Sequence, residues 1–112
     1  MKRIVRAALL PALLMTACTG QPLPADKADY AGHWRGGGVD LTIAPEGRVD
    51  YVKQQGKSRT EINGPLQGWI GDDFVVGVMV VKTTFDVTEP PHEVDGIWTM
   101  TVDGVTLTRD QP

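Results

Sequence analysis

The dipeptide Asp103-Gly104 constrains this chain more than any other feature, because it joins two runs in which apolar and polar residues alternate. A two-residue turn of type I′ needs positive φ at both positions, and Asp-Gly is one of the few pairs that adopt it readily. The strands it connects are antiparallel and have no slack in register, so Val102 faces Val105 and Met100 faces Leu107. A slip of one residue would turn the apolar side chains of Val105-Thr106-Leu107-Thr108-Arg109 to the wrong face. The preceding run, Val94 to Val102, reads as one strand with Val94, Trp98, Met100 and Val102 on its buried side.

The same alternation recurs upstream. Val39 to Ala44 alternates strictly, Pro45-Glu46-Gly47 turns the chain, and Arg48 to Gln54 returns with Val49 and Tyr51 inward. Lys57 to Ile62 is a short polar strand suited to an edge, and Asn63-Gly64-Pro65 is a turn that leads to Leu66 through Ile70. Gly71-Asp72-Asp73 opens into the apolar run Phe74 to Val81, which reads as the core strand of the domain, bent at Gly77. Lys82 to Thr88 carries Phe85 and Val87 on one face, and Glu89-Pro90-Pro91-His92 breaks the pattern. Helical periodicity is missing. About eight short strands joined by short turns predict an all-β domain: a small antiparallel meander forming a closed or nearly closed barrel. Its own side chains would fill it, leaving at most a small pocket at one mouth.

The amino terminus is built differently. Lys2, Arg3 and Arg6, with no acid among them, precede the apolar run Ala7 to Met15 and then small residues up to Cys18. That order predicts a secretory signal peptide over residues 1–17. Its apolar core is about nine residues, whereas a membrane-spanning helix needs about 20. Residues 18–29, which include Pro22 and Pro24, read as a flexible, extended linker. At about 3 Å per residue it would hold the domain roughly 20–30 Å from a membrane surface. Residues 30–112 form the single domain. Removal of Lys2, Arg3 and Arg6 leaves eight basic residues against fourteen acidic ones, a net charge of about −6. Such a domain lacks the basic stripe that supplies nucleic-acid affinity, so no nucleic-acid partner is expected.

Met15-Thr16-Ala17-Cys18 resembles the lipobox of bacterial lipoproteins, although the position three before the cysteine is Met15 rather than the more frequent Leu. The resemblance implies cleavage before Cys18 and acylation of its sulfur. Thr19, in place of an aspartate, implies the periplasmic face of the outer membrane by likeness to enteric lipoproteins; in a Gram-positive cell it would imply the outer leaflet of the one membrane. A lone cysteine cannot close an intramolecular disulfide, which agrees with that role. Gly32-His33-Trp34 is similar to the Gly-x-Trp signature of lipocalins and their calycin relatives. There the tryptophan closes one end of a barrel and an arginine of the last strand lies across it. The matching positions here are Gly32, Trp34 and Arg109. The whole chain also resembles small bacterial lipoproteins of proteobacterial type, through Gly-x-Trp, Leu-x-Ile, Ile-Asn-Gly-Pro, Pro-Pro-His and a closing Thr-Val-Asp-Gly-Val-x-Leu-Thr-Arg. That likeness implies fold and location, and no catalytic residue.

Chemistry is sparse. His33 and His92, with Glu93 or Asp95, form no close-spaced ligand pair, so neither a metal nor another cofactor is expected. No Gly-x-Ser-x-Gly occurs, Asp72-Asp73 reads as a turn and Asp86 as a solvent-facing strand position; the expectation is no enzyme. Gly36-Gly37-Gly38 has no helix after it and reads as a bend rather than a phosphate loop. Residues 87–93 read as a stiff loop which, with Trp69, offers a binding surface formed by Trp69, Pro90, Pro91 and His92. The expected protein is a lipid-anchored, non-enzymatic envelope protein that binds a small apolar ligand or serves another envelope role. The alternative is a protein-interaction module, an envelope-enzyme inhibitor or assembly accessory, that uses residues 87–93.

Overall fold

The computed structural model describes residues 20–111. A 3-10 turn at Ala25–Tyr30 precedes nine strands: β1 Gly32–Gly36, β2 Val39–Ile43, β3 Arg48–Gln55, β4 Ser58–Ile70, β5 Asp73–Val78, β6 Val81–Phe85, β7 Val87–Val94, β8 Ile97–Val102 and β9 Val105–Arg109. They form one antiparallel sheet in the order β6-β5-β4-β3-β2-β1-β9-β8-β7. The register of the last hairpin follows its Asp-Gly turn, with Val102 opposite Val105 and Met100 opposite Leu107. Asp103 and Gly104 have φ of 50° and 80°, as the type I′ turn requires.

The first strand pairs with the last, and the two free edges, β6 and β7, are consecutive in the chain with only Asp86 between them. One long segment therefore switches partners at Asp86, its first half pairing with β5 and its second with β8. Side chains fill the corner. The Val87 N–H donates to the Asp73 carboxylate at 2.7 Å, and the Asp86 N–H donates to that of Asp103 at 2.9 Å. The Asp103 N–H returns a bond of 2.7 Å to the Asp86 carbonyl. The sheet is a half-barrel, not a closed one.

Several boundaries differ from those read in the sequence. Asn63-Gly64-Pro65 does not turn: all three stay in register with β3, opposite Asp50, Val49 and Arg48, so β4 runs unbroken until it shifts to β5 near Leu66. Phe74 to Val81 is not one strand but a hairpin turning at Met79-Val80, and only Phe74, Val75 and Val76 of it are buried. Asp95-Gly96 is a turn, so Val94 belongs to β7 and is exposed. Residues 87–93 are strand rather than loop. Pro90 and Pro91 are accommodated because β7 is an edge and its register shifts between Glu89 and His92, where a missing N–H breaks no ladder.

The concave face is packed solid by Trp34, Leu41, Ile43, Val49, Leu66, Phe74, Val76, Phe85, Met100 and Leu107, each with almost no exposure. Phe74 stacks on Phe85 with centroids 4.9 Å apart, and Tyr51 meets Phe85 edge-on. The expectation of a free linker up to Asp29 is corrected for its described part. The Gln21 N–H donates to the Leu66 carbonyl and the Leu23 N–H to that of Pro45, both at 3.0 Å, and the Leu23 side chain packs on the core. These bonds complete backbone groups left open where β2, β3 and β4 diverge. Cys18 and the leader 1–17 lie outside the described residues. No described helix is long and apolar enough to cross a membrane.

Candidate functional site

β1 and β9 bring Gly32, Trp34 and Arg109 together, with Trp34 and Arg109 directly opposite. The guanidinium carbon of Arg109 lies 5.5 Å from the centroid of Trp34 and 4.5 Å from that of Trp98, sandwiched between two indoles. Its Nη1 donates to the carbonyls of Asp29 and Ala31 at 3.2 and 3.3 Å. Trp34, fully buried, donates from Nε1 to the Tyr30 carbonyl at 2.9 Å. Gly32, at φ 140°, leaves room for the arginine stem: a Cβ there would lie 2.6 Å from Arg109 Cδ. This arrangement ties the chain entering the sheet to the strand that ends it. It offers no reactive atom.

The four residues read as a binding surface come from two strands, Trp69 half-buried against the core and Pro90, Pro91 and His92 along the β7 edge. Trp69 is on β4, whose partners are β3 and β5, while Pro90, Pro91 and His92 are on β7, which pairs with β8. Trp69 is half-buried, 4.8 Å from Tyr30 and 6.0 Å from Phe74 between centroids, with the Lys27 ammonium 5.2 Å above its ring. Its Nε1 is buried and lacks a partner among the described residues. Tyr30 donates its hydroxyl to the Asp72 carbonyl at 2.8 Å. Burial, with help from the carboxylates of Asp72, Asp73 and Asp26, pushes the Tyr30 phenol far above its ordinary range. His92 is exposed, with Nδ1 3.1 Å from the Pro90 carbonyl and Nε2 3.3 Å from the Thr99 hydroxyl.

The two histidines do not converge, since β8 and β9 separate the strands that carry them, roughly 14 Å at about 4.8 Å per strand. His33 sits between two carboxylates, Nε2 at 2.7 Å from Asp40 and Nδ1 at 2.8 Å from Asp110, with Arg35 donating to Asp110 at 3.3 Å. His33, Arg35 and Asp40 are neighbours by the β1–β2 pairing, which sets Arg35 opposite Asp40, whereas Asp110 follows β9 on the other side of β1. Among the described residues no group of three or more His, Cys, Asp or Glu is placed to hold a metal ion.

Several concavities among the described residues open to solvent. One of about 350 Å³ is open to water, with Glu46, Arg48, Asp50, Asn63 and Pro65 among the residues that line it. A feature not anticipated from the sequence is the β5–β6 tip: Val78, Met79, Val80 and Val81 are all exposed, Val80 at 88%. A scan against protein-family models, a search of curated proteins and a search of solved structures found no match.

Proposed function

We propose that this chain is a non-enzymatic lipoprotein of the cell envelope, anchored through Cys18 and acting through the outer surface of its β domain. The order of positive charges, apolar run, small residues and cysteine in residues 1–18 supports the anchor. Two acyl chains hold a protein stably at a bilayer where one does not, and a diacylglyceryl cysteine supplies two. Thr19 favours the periplasmic face of the outer membrane. The observation that carries the choice between carrier and surface module is the filled interior, where Trp34, Phe74, Phe85 and their aliphatic neighbours occupy the volume a small apolar ligand would need. An envelope-enzyme inhibitor or assembly accessory therefore suits the domain better than a lipid carrier.

The finer fold belongs to the same reading. The domain is a reduced lipocalin-like barrel in which the bend at Asp86 stands in for a closing ladder, and the Trp34–Arg109 contact supports that kinship.

The test is expression of the whole chain in a lipoprotein-processing host, followed by intact mass and detergent phase separation. The expected product begins at Cys18, carries a diacylglyceryl mass and enters the detergent phase. A non-acylated product in the aqueous phase, behaving as Cys18→Ser does, refutes the anchor. A small apolar molecule bound one-to-one in native mass spectra refutes the surface reading.

A further inference from the structure

We infer that the β5–β6 hairpin tip, Val78-Met79-Val80-Val81, is a second membrane contact that dips into the lipid headgroup boundary beside the anchor. Folding does not require apolar residues there. Six of the hairpins turn through two residues, and the other five turns, Gly37-Gly38, Gly56-Lys57, Gly71-Asp72, Asp95-Gly96 and Asp103-Gly104, each contain glycine. Met79 instead adopts φ 56° without glycine's freedom. The Gln67 amide holds the turn, donating to the carbonyls of Gly77 and Met79 at 3.3 and 3.1 Å. Met79 and Val80 are 82% and 88% exposed, so a polar pair would fold at least as well in water. Exposed Lys82 follows the tip, where an ammonium can reach headgroups while its stem stays in the apolar layer.

Position identifies the occupant. Gly20 and Gln21 line the same surface groove as Val78 and Met79. Gly20 is clamped between the Gly47 and Leu66 backbones, and the Gln21 N–H is bonded to Leu66. Covalent geometry keeps Cys18 within about 7 Å of Gly20, so an acylated Cys18 brings lipid to the side of the molecule where the tip projects. A protein held by Gln21 has no long tether. The inference rests on the anchor proposed above, and the experiment separates the two.

The whole chain is produced in a lipoprotein-processing host as Met79→Cys and, separately, Val80→Cys. Each is labelled with an environment-sensitive fluorophore and reconstituted into phosphatidylethanolamine–phosphatidylglycerol vesicles with and without nitroxide-labelled lipid. Lys57→Cys is the reference: it follows β3 at the end away from Gly47, roughly 30 Å along the strand. The parent, labelled in parallel, reports any free thiol at Cys18, and intact mass reports the acyl group. The expected result is blue-shifted emission at both tip positions, quenched by nitroxide lipid, with neither effect at Lys57. Tip probes as water-exposed as the Lys57 probe overturn the inference while leaving an acylated anchor intact. Shielding that nitroxide lipid does not quench means a protein cover, a second copy or residues 1–19, and also overturns it. Lipid quenching at the tip of a chain with no acyl mass refutes the anchor and leaves the tip contact standing.

Discussion

Replacing Arg109 by methionine removes a guanidinium that lies between Trp34 and Trp98 and reaches back to the carbonyls of Asp29 and Ala31. Two cation–π contacts at a partly exposed site contribute about 0.5–1 kcal/mol each. The two hydrogen bonds, both longer than 3.1 Å and made by one nitrogen, add about 1 kcal/mol together. Methionine keeps much of the stem's apolar contact, so the expected loss is about 2–3 kcal/mol. For a domain of this size that corresponds to a melting temperature lower by roughly 10–20 °C. Urea unfolding followed by circular dichroism at 25 °C measures the free energy, and the slope shows whether the unfolded reference has changed. Arg109→Lys keeps a cation but loses the planar fork, so its loss should fall between those of the parent and Arg109→Met. In a double-mutant cycle with Trp98→Leu, the two changes should be non-additive by about 0.5–1 kcal/mol. An Arg109→Met variant within about 0.5 kcal/mol of the parent would show that the contacts are incidental.

Gly77→Ala places a Cβ at φ 149° against the backbones of Val81 and Lys82, 2.6 Å from Lys82 Cα; stability measured by thermal melting should fall by about 1–3 kcal/mol. Tyr30→Phe removes the bond to the Asp72 carbonyl and should cost about 1 kcal/mol at neutral pH. The folded Tyr30 phenol titrates above the unfolded value, so its contribution is complete below pH about 10 and declines as pH rises beyond it. The phenylalanine variant should accordingly lose less stability than the parent between pH 9 and 11, and equal slopes would contradict this. Replacing Pro90 and Pro91 together by threonine gives the β7 edge back two N–H donors; sedimentation at high concentration should show more self-association, with monomer stability little changed.

Legibility in the sequence followed how local each determinant is. Asp103-Gly104 carries its turn in two residues, so the last hairpin could be paired residue by residue. Asp95-Gly96 carries the same signal, but Val94 sits in phase with Trp98 and Met100, and the shared parity hid the turn. Asn63-Gly64-Pro65 has turn chemistry that loses to tertiary pairing: β3 offers eight residues of continuous partner, and the strand extends to meet them. Met79-Val80 has no turn chemistry to read at all. At the Arg109 site the alternation marked Trp34 as inward, and the family resemblance rather than any spacing linked it to Arg109, 75 positions away. The contact of His33 with Asp40 was accessible from the Gly37-Gly38 hairpin as a diagonal neighbour across the strands, whereas Asp110 comes within reach only through the pairing of the first strand with the last. Docking of residues 20–24 had no sequence signal, since single backbone bonds leave no pattern of side chains.

That pairing of first strand with last also sets a timetable for synthesis. A ribosome adding about 5–20 residues per second reaches Arg109 roughly 4–15 s after Trp34. A sheet that forms without β9 leaves β1 with one neighbour, its outer edge open, and the indole of Trp34 without the guanidinium of Arg109. Wherever the chain folds, the β1 edge stays unpaired until the last strand has arrived, and any product that stops before β9 keeps it so. Loss of a few residues at the far end of the domain therefore undoes the closure of its beginning.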